Sequence, residues 1–243
     1  MPSLEAYHRN LPYSYAPGLF PTLETLQHAP ERVRRVLLST ETDEGDALGQ
    51  IRALCARHGI RIETADRVLR RLSAKDNCYA AAVFDKAPAH LSRDARHLVL
   101  VNPMDKGNMG TMLRSALGFG FLDIAVILPA ADLYDPAVVR ASMGALFSLR
   151  VREFDSFDAY RAAHTEHALY LFTLDGAVAP EVAAREAALP WSLVMGNEGS
   201  GLPSKLAELG TPVRIPHSGA IDSLNLAVAA AIGMYVFDRE APE

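Results

Sequence analysis

What this sequence has little of narrows it first. It holds two cysteines, Cys55 and Cys78. They are too few for a disulfide framework and are not spaced as metal ligands, so a reduced protein without structural zinc is expected. No run of roughly 18 uninterrupted apolar residues occurs, which argues against a membrane-spanning helix. The opening residues, Met-Pro-Ser-Leu-Glu-Ala-Tyr, lack the basic-then-apolar pattern of a secretory signal, and a cytoplasmic protein is the expectation. Positive charge is not in excess either: the formal net charge is −5, which argues against a general polyanion binder. The dinucleotide fingerprint is also missing. Gly118-Phe119-Gly120 sits at a helix end rather than after a strand and lacks a third glycine. It reads as a helix C-cap, and a nicotinamide enzyme is disfavoured.

What is present is ample core. The 243 residues are 49% hydrophobic and 22% charged, enough for one large or two ordinary domains. An irregular arm is expected over 1–16, then helix 19–28 and strand 33–38. Helix 46–58 follows, ended near Gly59, then strand 60–64, helix 65–72 and strand 78–84. This alternation predicts a small α/β domain over residues 1–84, with 85–96 as a linker. Leu98-Val99-Leu100-Val101 is near-continuously apolar, the pattern of a strand buried on both faces of a parallel sheet. Further strands are expected at 124–128, 149–154, 169–173, 193–195 and 213–215, with helical segments between most of them. A parallel sheet flanked by helices is therefore predicted for residues 97–243.

Three stretches in the second half carry polar groups where a core would not need them. In the first, Asn108 to Ala116, a helix beginning near Gly110 places Thr111, Arg114, Ser115 and Gly118 on one polar or small stripe, with Asn108 just before it. The second, Val194 to Pro203, has three glycines between Gly196 and Leu202, allowing positive φ and close backbone approach. The third, Ile215 to Ile232, starts where Pro216 stops a strand. Asp222-Ser223 offers an N-cap there. An Ala-rich helix from Leu224 to about Phe237 follows, expected to be buried on nearly every side, with Ser223 and Asn225 at its mouth.

Taken in this order, the three stretches resemble the motifs of the SpoU (TrmH-like) RNA 2′-O-ribose methyltransferases of the SPOUT superfamily, over roughly residues 97–238. The resemblance implies a SPOUT α/β-knot domain with a deep trefoil knot, and a ribosomal-protein-like α/β domain before it. It implies S-adenosylmethionine as cofactor, a homodimer, and methyl transfer to a ribose 2′-hydroxyl of rRNA or tRNA, with rRNA favoured. Residues 1–95 carry net +1 against −6 for residues 96–243, with arginines clustered at 32, 34, 35, then 52, 57, 61, then 67, 70, 71. The first part is thus the expected RNA-facing surface. By the same resemblance Gly196, Ile215 and Leu224 contact the cofactor, and Asn108, Arg114, Glu198, Ser223 and Asn225 shape the active site. Arg114 would contact a phosphate and stabilise alkoxide charge. Because arginine stays protonated, a phosphate oxygen, water or Glu198 is left as proton acceptor. No metal is implied. Lys106 stands where the family usually has proline, and His217 where it often has methionine; His217 is assigned no role. The alternative from another class is a non-catalytic RNA-binding protein that keeps the fold, which would have no need of all five polar residues.

Overall fold

The computed structural model describes residues 5–72 and 78–242; residues 1–4 of the expected arm lie outside it. The first elements are β1 (Tyr13–Pro17), α1 (Leu19–His28), β2 (Val33–Leu38), α2 (Asp46–His58), β3 (Ile62–Thr64), α3 (Asp66–Leu72) and β4 (Ala80–Asp85). There follow β5 (His97–Val101), α4 (Lys106–Gly118), β6 (Asp123–Ile127), α5 (Pro136–Ala141), β7 (Arg150–Phe154), α6 (Phe157–Ala163) and β8 (Ala168–Phe172). The chain ends through α7 (Pro180–Arg185), β9 (Trp191–Met195), α8 (Ser204–Ala207), β10 (Thr211–Val213) and α9 (Leu226–Glu240). Among the described residues no helix is long and apolar enough to cross a membrane.

Contacts divide the chain into two units: residues up to Ala87 together with Asp132–Ser148, and Pro88–Ala131 together with Leu149–Glu243. The first has a four-stranded sheet of order β1-β4-β2-β3. In it β4 runs antiparallel to both β1 and β2, and β3 runs parallel to β2. Tyr13–Pro17, expected as irregular arm, is an edge strand. Proline is tolerated there because an edge leaves one side of the ladder unpaired, and Pro17 closes the strand. The return of residues 132–148 to this unit was not anticipated by a boundary drawn at 84 and 97. Asp135 caps α5 by accepting from Ala137 N at 2.8 Å. Val138, Val139, Leu146 and Phe147 are buried, and the Phe147 ring packs edge-on against Phe84 at 4.9 Å.

The second unit is a six-stranded parallel sheet of order β10-β8-β9-β5-β6-β7. Strands β5, β6 and β9 are buried along their whole length, as their predominantly apolar sequences require. Two helix starts differ from expectation. Helix α4 begins at Lys106, because the Asp105 side chain accepts from Asn108 N at 2.7 Å; Asn108 is therefore inside the first turn. Helix α9 begins at Leu226, and its cap is Asn225 rather than Asp222-Ser223. The Asn225 Oδ1 accepts from Ala227 N at 2.9 Å and Val228 N at 3.3 Å. Nor is α9 buried all round. Ala227, Ala230, Gly233, Met234 and Phe237 face the core, whereas Val228 and Tyr235 are 49% and 51% exposed. Gly233 is required by packing, since a Cβ there would lie 2.7 Å from the Phe172 ring.

Candidate active site

Strand β9 ends at Met195 and releases the loop Gly196–Leu202. Asn197 and Gly201 close it by exchanging N–H···O bonds of 3.0 Å in both directions. A Cβ on Gly196 would lie 2.3 Å from Gly201 C and 2.5 Å from Leu202 N. Glycine is needed here so that the loop can fold onto its own root. Gly201 sits at φ +66, the left-handed region that glycine enters without steric cost. Asn197 organises the interior: its Oδ1 accepts from Gly199 N at 2.9 Å and Ser200 N at 3.1 Å. Its Nδ2 donates to Asn102 O at 2.7 Å, tying the loop to the exit of β5. Asn102 itself holds φ +53, a conformation asparagine tolerates better than most residues.

The loop's carboxylate reaches the start of α4. Glu198 accepts from Met104 N and Asp105 N, both at 3.0 Å, and from Asn108 Nδ2 at 3.4 Å. Burial alone would raise its pKa, but these N–H donors outweigh burial and hold the carboxyl below the usual glutamate value. Asn108 Oδ1 in turn accepts from Asn225 Nδ2 at 3.0 Å. A single hydrogen-bonded path, Glu198–Asn108–Asn225, thus joins all three stretches and ends at the α9 cap.

A cavity of about 270 Å³ lies at the carboxyl ends of β8, β9 and β10, where ligands of open parallel sheets bind. Gly196, Ile215 and Leu224 line it, as do Glu198 and Ser223. Asn108 and Asn225 do not; they line a neighbouring groove between α4 and α9 with Thr111, Phe119, Val228 and Tyr235. Arg114 lines neither. It is exposed on the polar stripe of α4, and the hydrogen bonds and ion pairs among the described residues do not engage it. Sequence reading did not assign several polar cavity residues to the site, among them Thr173, Asp175, Asn197 and His217. The first two directly follow β8, and the rule that ligands sit at strand carboxyl ends was the signal available. His217 donates from Nδ1 to Ile215 O at 3.0 Å, which turns its ring into the wall.

The SpoU rRNA methylase family model matches residues 95–235, which spans this whole arrangement. The chain belongs to the SpoU rRNA methylase family. Among curated relatives, it is 38% identical over 146 residues to a 23S rRNA (uridine(2479)-2′-O)-methyltransferase of Streptomyces viridochromogenes, covering 57% of this chain and 50% of that protein. A 23S rRNA (guanosine(2553)-2′-O)-methyltransferase of Bacillus subtilis is 31% identical over 145 residues, covering 58% and 57%. The chain thus spans about half the length of these curated relatives. Among solved structures, the SpoU methyltransferase AviRb from S. viridochromogenes, in complex with AdoMet, superposes with a TM-score of 0.77 at 27% identity. That match covers 94% of this chain and 90% of the other. The SpoU segment therefore contains the cavity, the Glu198–Asn108–Asn225 path and Arg114.

Proposed function

We propose that this protein is an S-adenosylmethionine-dependent methyltransferase that modifies a ribose 2′-hydroxyl of RNA in the cytoplasm, rRNA ahead of tRNA. The observation that carries the reading is the meeting of the second and third motif stretches at one cavity, with the first tied to both through Glu198–Asn108–Asn225, in a chain matched by the SpoU family over 95–235. The lining fits the cofactor. Met195, Leu202, Ile215, Leu224 and Leu226 offer apolar surface, and Asp175 and Glu198 offer carboxylates towards a cationic ligand. When bound, the cofactor supplies a methyl group activated on a sulfonium.

The chain's own residues do the rest by positioning. Glu198 holds the Gly196–Leu202 loop against the start of α4, and its engaged, acidic carboxylate makes it a positioning residue and a poor proton acceptor. A phosphate oxygen or water is left for that role. Asn225 and Ser223 set the mouth of the site. Arg114, exposed and unengaged, is free to meet a phosphate and the developing alkoxide, where a guanidinium stabilises charge most effectively. The knot of the SPOUT fold and the ribosomal-protein-like character of residues 1–84 belong to the same proposal, as does a homodimer. Support for the dimer is the apolar face of α4 and α9, with Phe119, Ala231, Ile232, Val228 and Tyr235 around one groove. Tyr235→Glu should yield monomers by light scattering.

Calorimetry of the purified protein with S-adenosylmethionine and S-adenosylhomocysteine, followed by transfer of labelled methyl to ribosomal RNA, tests the reading. Binding with 2′-O-methylation is expected. Folded protein that binds neither molecule would sink it, and binding without transfer to any RNA would favour the non-catalytic alternative.

A further inference from the structure

At the amino ends of β5 and β8, away from the cofactor cavity, three histidines meet in the interior. His97 opens β5, His164 follows the last turn of α6, and His167 precedes β8. They are 0%, 6% and 2% exposed. One ring nitrogen from each lies within 4.8 Å of the others, and the ring centroids are 4.3 to 5.2 Å apart. Chain spacing concealed the cluster, because only His164 and His167 are close in sequence.

Two of the rings have their protons assigned by their neighbours. His97 Nε2 lies 2.7 Å from Ser92 O and His167 Nε2 lies 2.8 Å from Arg93 O. A carbonyl only accepts, so each Nε2 carries the hydrogen and each Nδ1 presents a lone pair. This is the outer-partner arrangement that metal-ligating histidines have. The inward side is short of one hydrogen-bonding proton. His97 Nδ1 is 2.9 Å from the Tyr160 hydroxyl, His167 Nδ1 is 2.8 Å from the Ser192 hydroxyl, and the two hydroxyl oxygens are 2.7 Å apart. Those three contacts have only two hydroxyl protons between them. Among the described residues the His164 Nδ1 is buried with no hydrogen-bond partner, a costly state for a polar atom.

We propose that His97, His164 and His167 form a site for a divalent cation that favours imidazole nitrogen, zinc above all, acting as a structural clasp between β5, α6 and β8. A cation on the two Nδ1 lone pairs frees one hydroxyl proton to fill the Tyr160–Ser192 contact, and it gives the His164 Nδ1 a partner that the described residues do not supply. A proton is the competing cation, but burial disfavours it. Burial first, and then the neighbouring His167, hold His97 down at about 4. His164 is held at about 4 by burial, His167, Arg152 and Arg93, and His167 is lowered by burial with Arg161 opposing its charge. The Asp123 carboxylate, 1% exposed and bound by Arg150, supplies negative potential towards all three rings. With bonds of about 2.0–2.1 Å to zinc, tetrahedral nitrogens sit roughly 3.3 Å apart, so the rings must close by about 1.5 Å at most.

The test uses the full chain, stripped with a chelator and titrated with Zn²⁺, and with Co²⁺ as a spectroscopic probe. The expected result is one ion per chain, visible bands of tetrahedral Co²⁺ with nitrogen ligands, and a raised melting temperature. His164→Ala should weaken binding by more than the roughly 10–100-fold lost with an outer partner. Binding unchanged in that variant would place the metal on other histidines and overturn the proposal. So would a wild-type protein whose melting responds to pH but not to metal, since an added proton would then complete the cluster. Should His164→Ala not fold, the wild-type Co²⁺ spectrum decides: no bands, or octahedral bands only, overturns the site.

Discussion

Arg114 and Glu198 are both polar residues beside the same strand ends, yet their surroundings give them opposite tasks. Arg114 is exposed and spends its guanidinium on none of the described neighbours. Arg114→Ala should leave S-adenosylmethionine affinity unchanged in calorimetry while methyl transfer falls about 10²–10³-fold, as when a charge-stabilising donor is lost. Arg114→Lys keeps charge without the planar fork and should restore only part of the rate. Loss of cofactor binding in Arg114→Ala would make the arginine structural. Glu198 is committed to Met104 N, Asp105 N and Asn108. Its folded-state pKa lies below the usual 4.5, so its contribution is complete above that value and fades as pH falls through the lowered one. Urea denaturation of Glu198→Gln should show a loss of about 1 kcal/mol at pH 7, solvent screening included. The gap from wild type should shrink under acid conditions, and a gap independent of pH would contradict the ionic role.

Among the elements, α9 shows how one cap serves two purposes. Asn225 Oδ1 closes the helix start, and its Nδ2 reaches Asn108. Asn225→Ala should cost about 1 kcal/mol in thermal or denaturant unfolding. Asn225→Asp keeps an accepting oxygen for the cap and loses the donor to Asn108. Stability should therefore stay near wild type while methyl transfer drops; equal transfer in both proteins would show that the link to Asn108 has no part in the reaction. The helix was legible from its Ala-rich run and from the breaker Pro216. Its start was not, since Asp222, Ser223 and Asn225 are all good caps and only the fold keeps residues 223–225 out of the helix, so that the last of them caps it.

At the level of the whole molecule, the surprise is residues 132–148, which leave the parallel-sheet unit and pack with the N-terminal one. The Ser14 hydroxyl donates to Tyr134 O at 2.5 Å, Gly144 lies where any Cβ would strike Glu24, and Arg32 stacks over Phe147 at 5.8 Å. A fragment of residues 88–243 keeps this segment but none of those partners. It should melt well below the full chain and tend to aggregate through Val138, Val139, Leu146 and Phe147, which the full chain buries. Circular dichroism and light scattering on both proteins check this. A fragment as stable and monodisperse as the full chain would mean that the segment folds without its unit.

The sequence by itself determined most of the strand and helix inventory of both halves, β1 excepted, because apolar runs and glycine or proline breakers act over a few residues. It also determined the three motif stretches, whose residue types and order are local facts. Only the tertiary structure decided which of the site residues share a cavity, because the ends of β8, β9 and β10 meet through pairing between distant strands. It decided likewise that Gly196 is required by its own loop and that Glu198 is bound rather than free. It also decided that three histidines from three elements share one interior spot. Such outcomes depend on contacts between residues far apart in the chain, and spacing along the sequence carries no distance across a sheet.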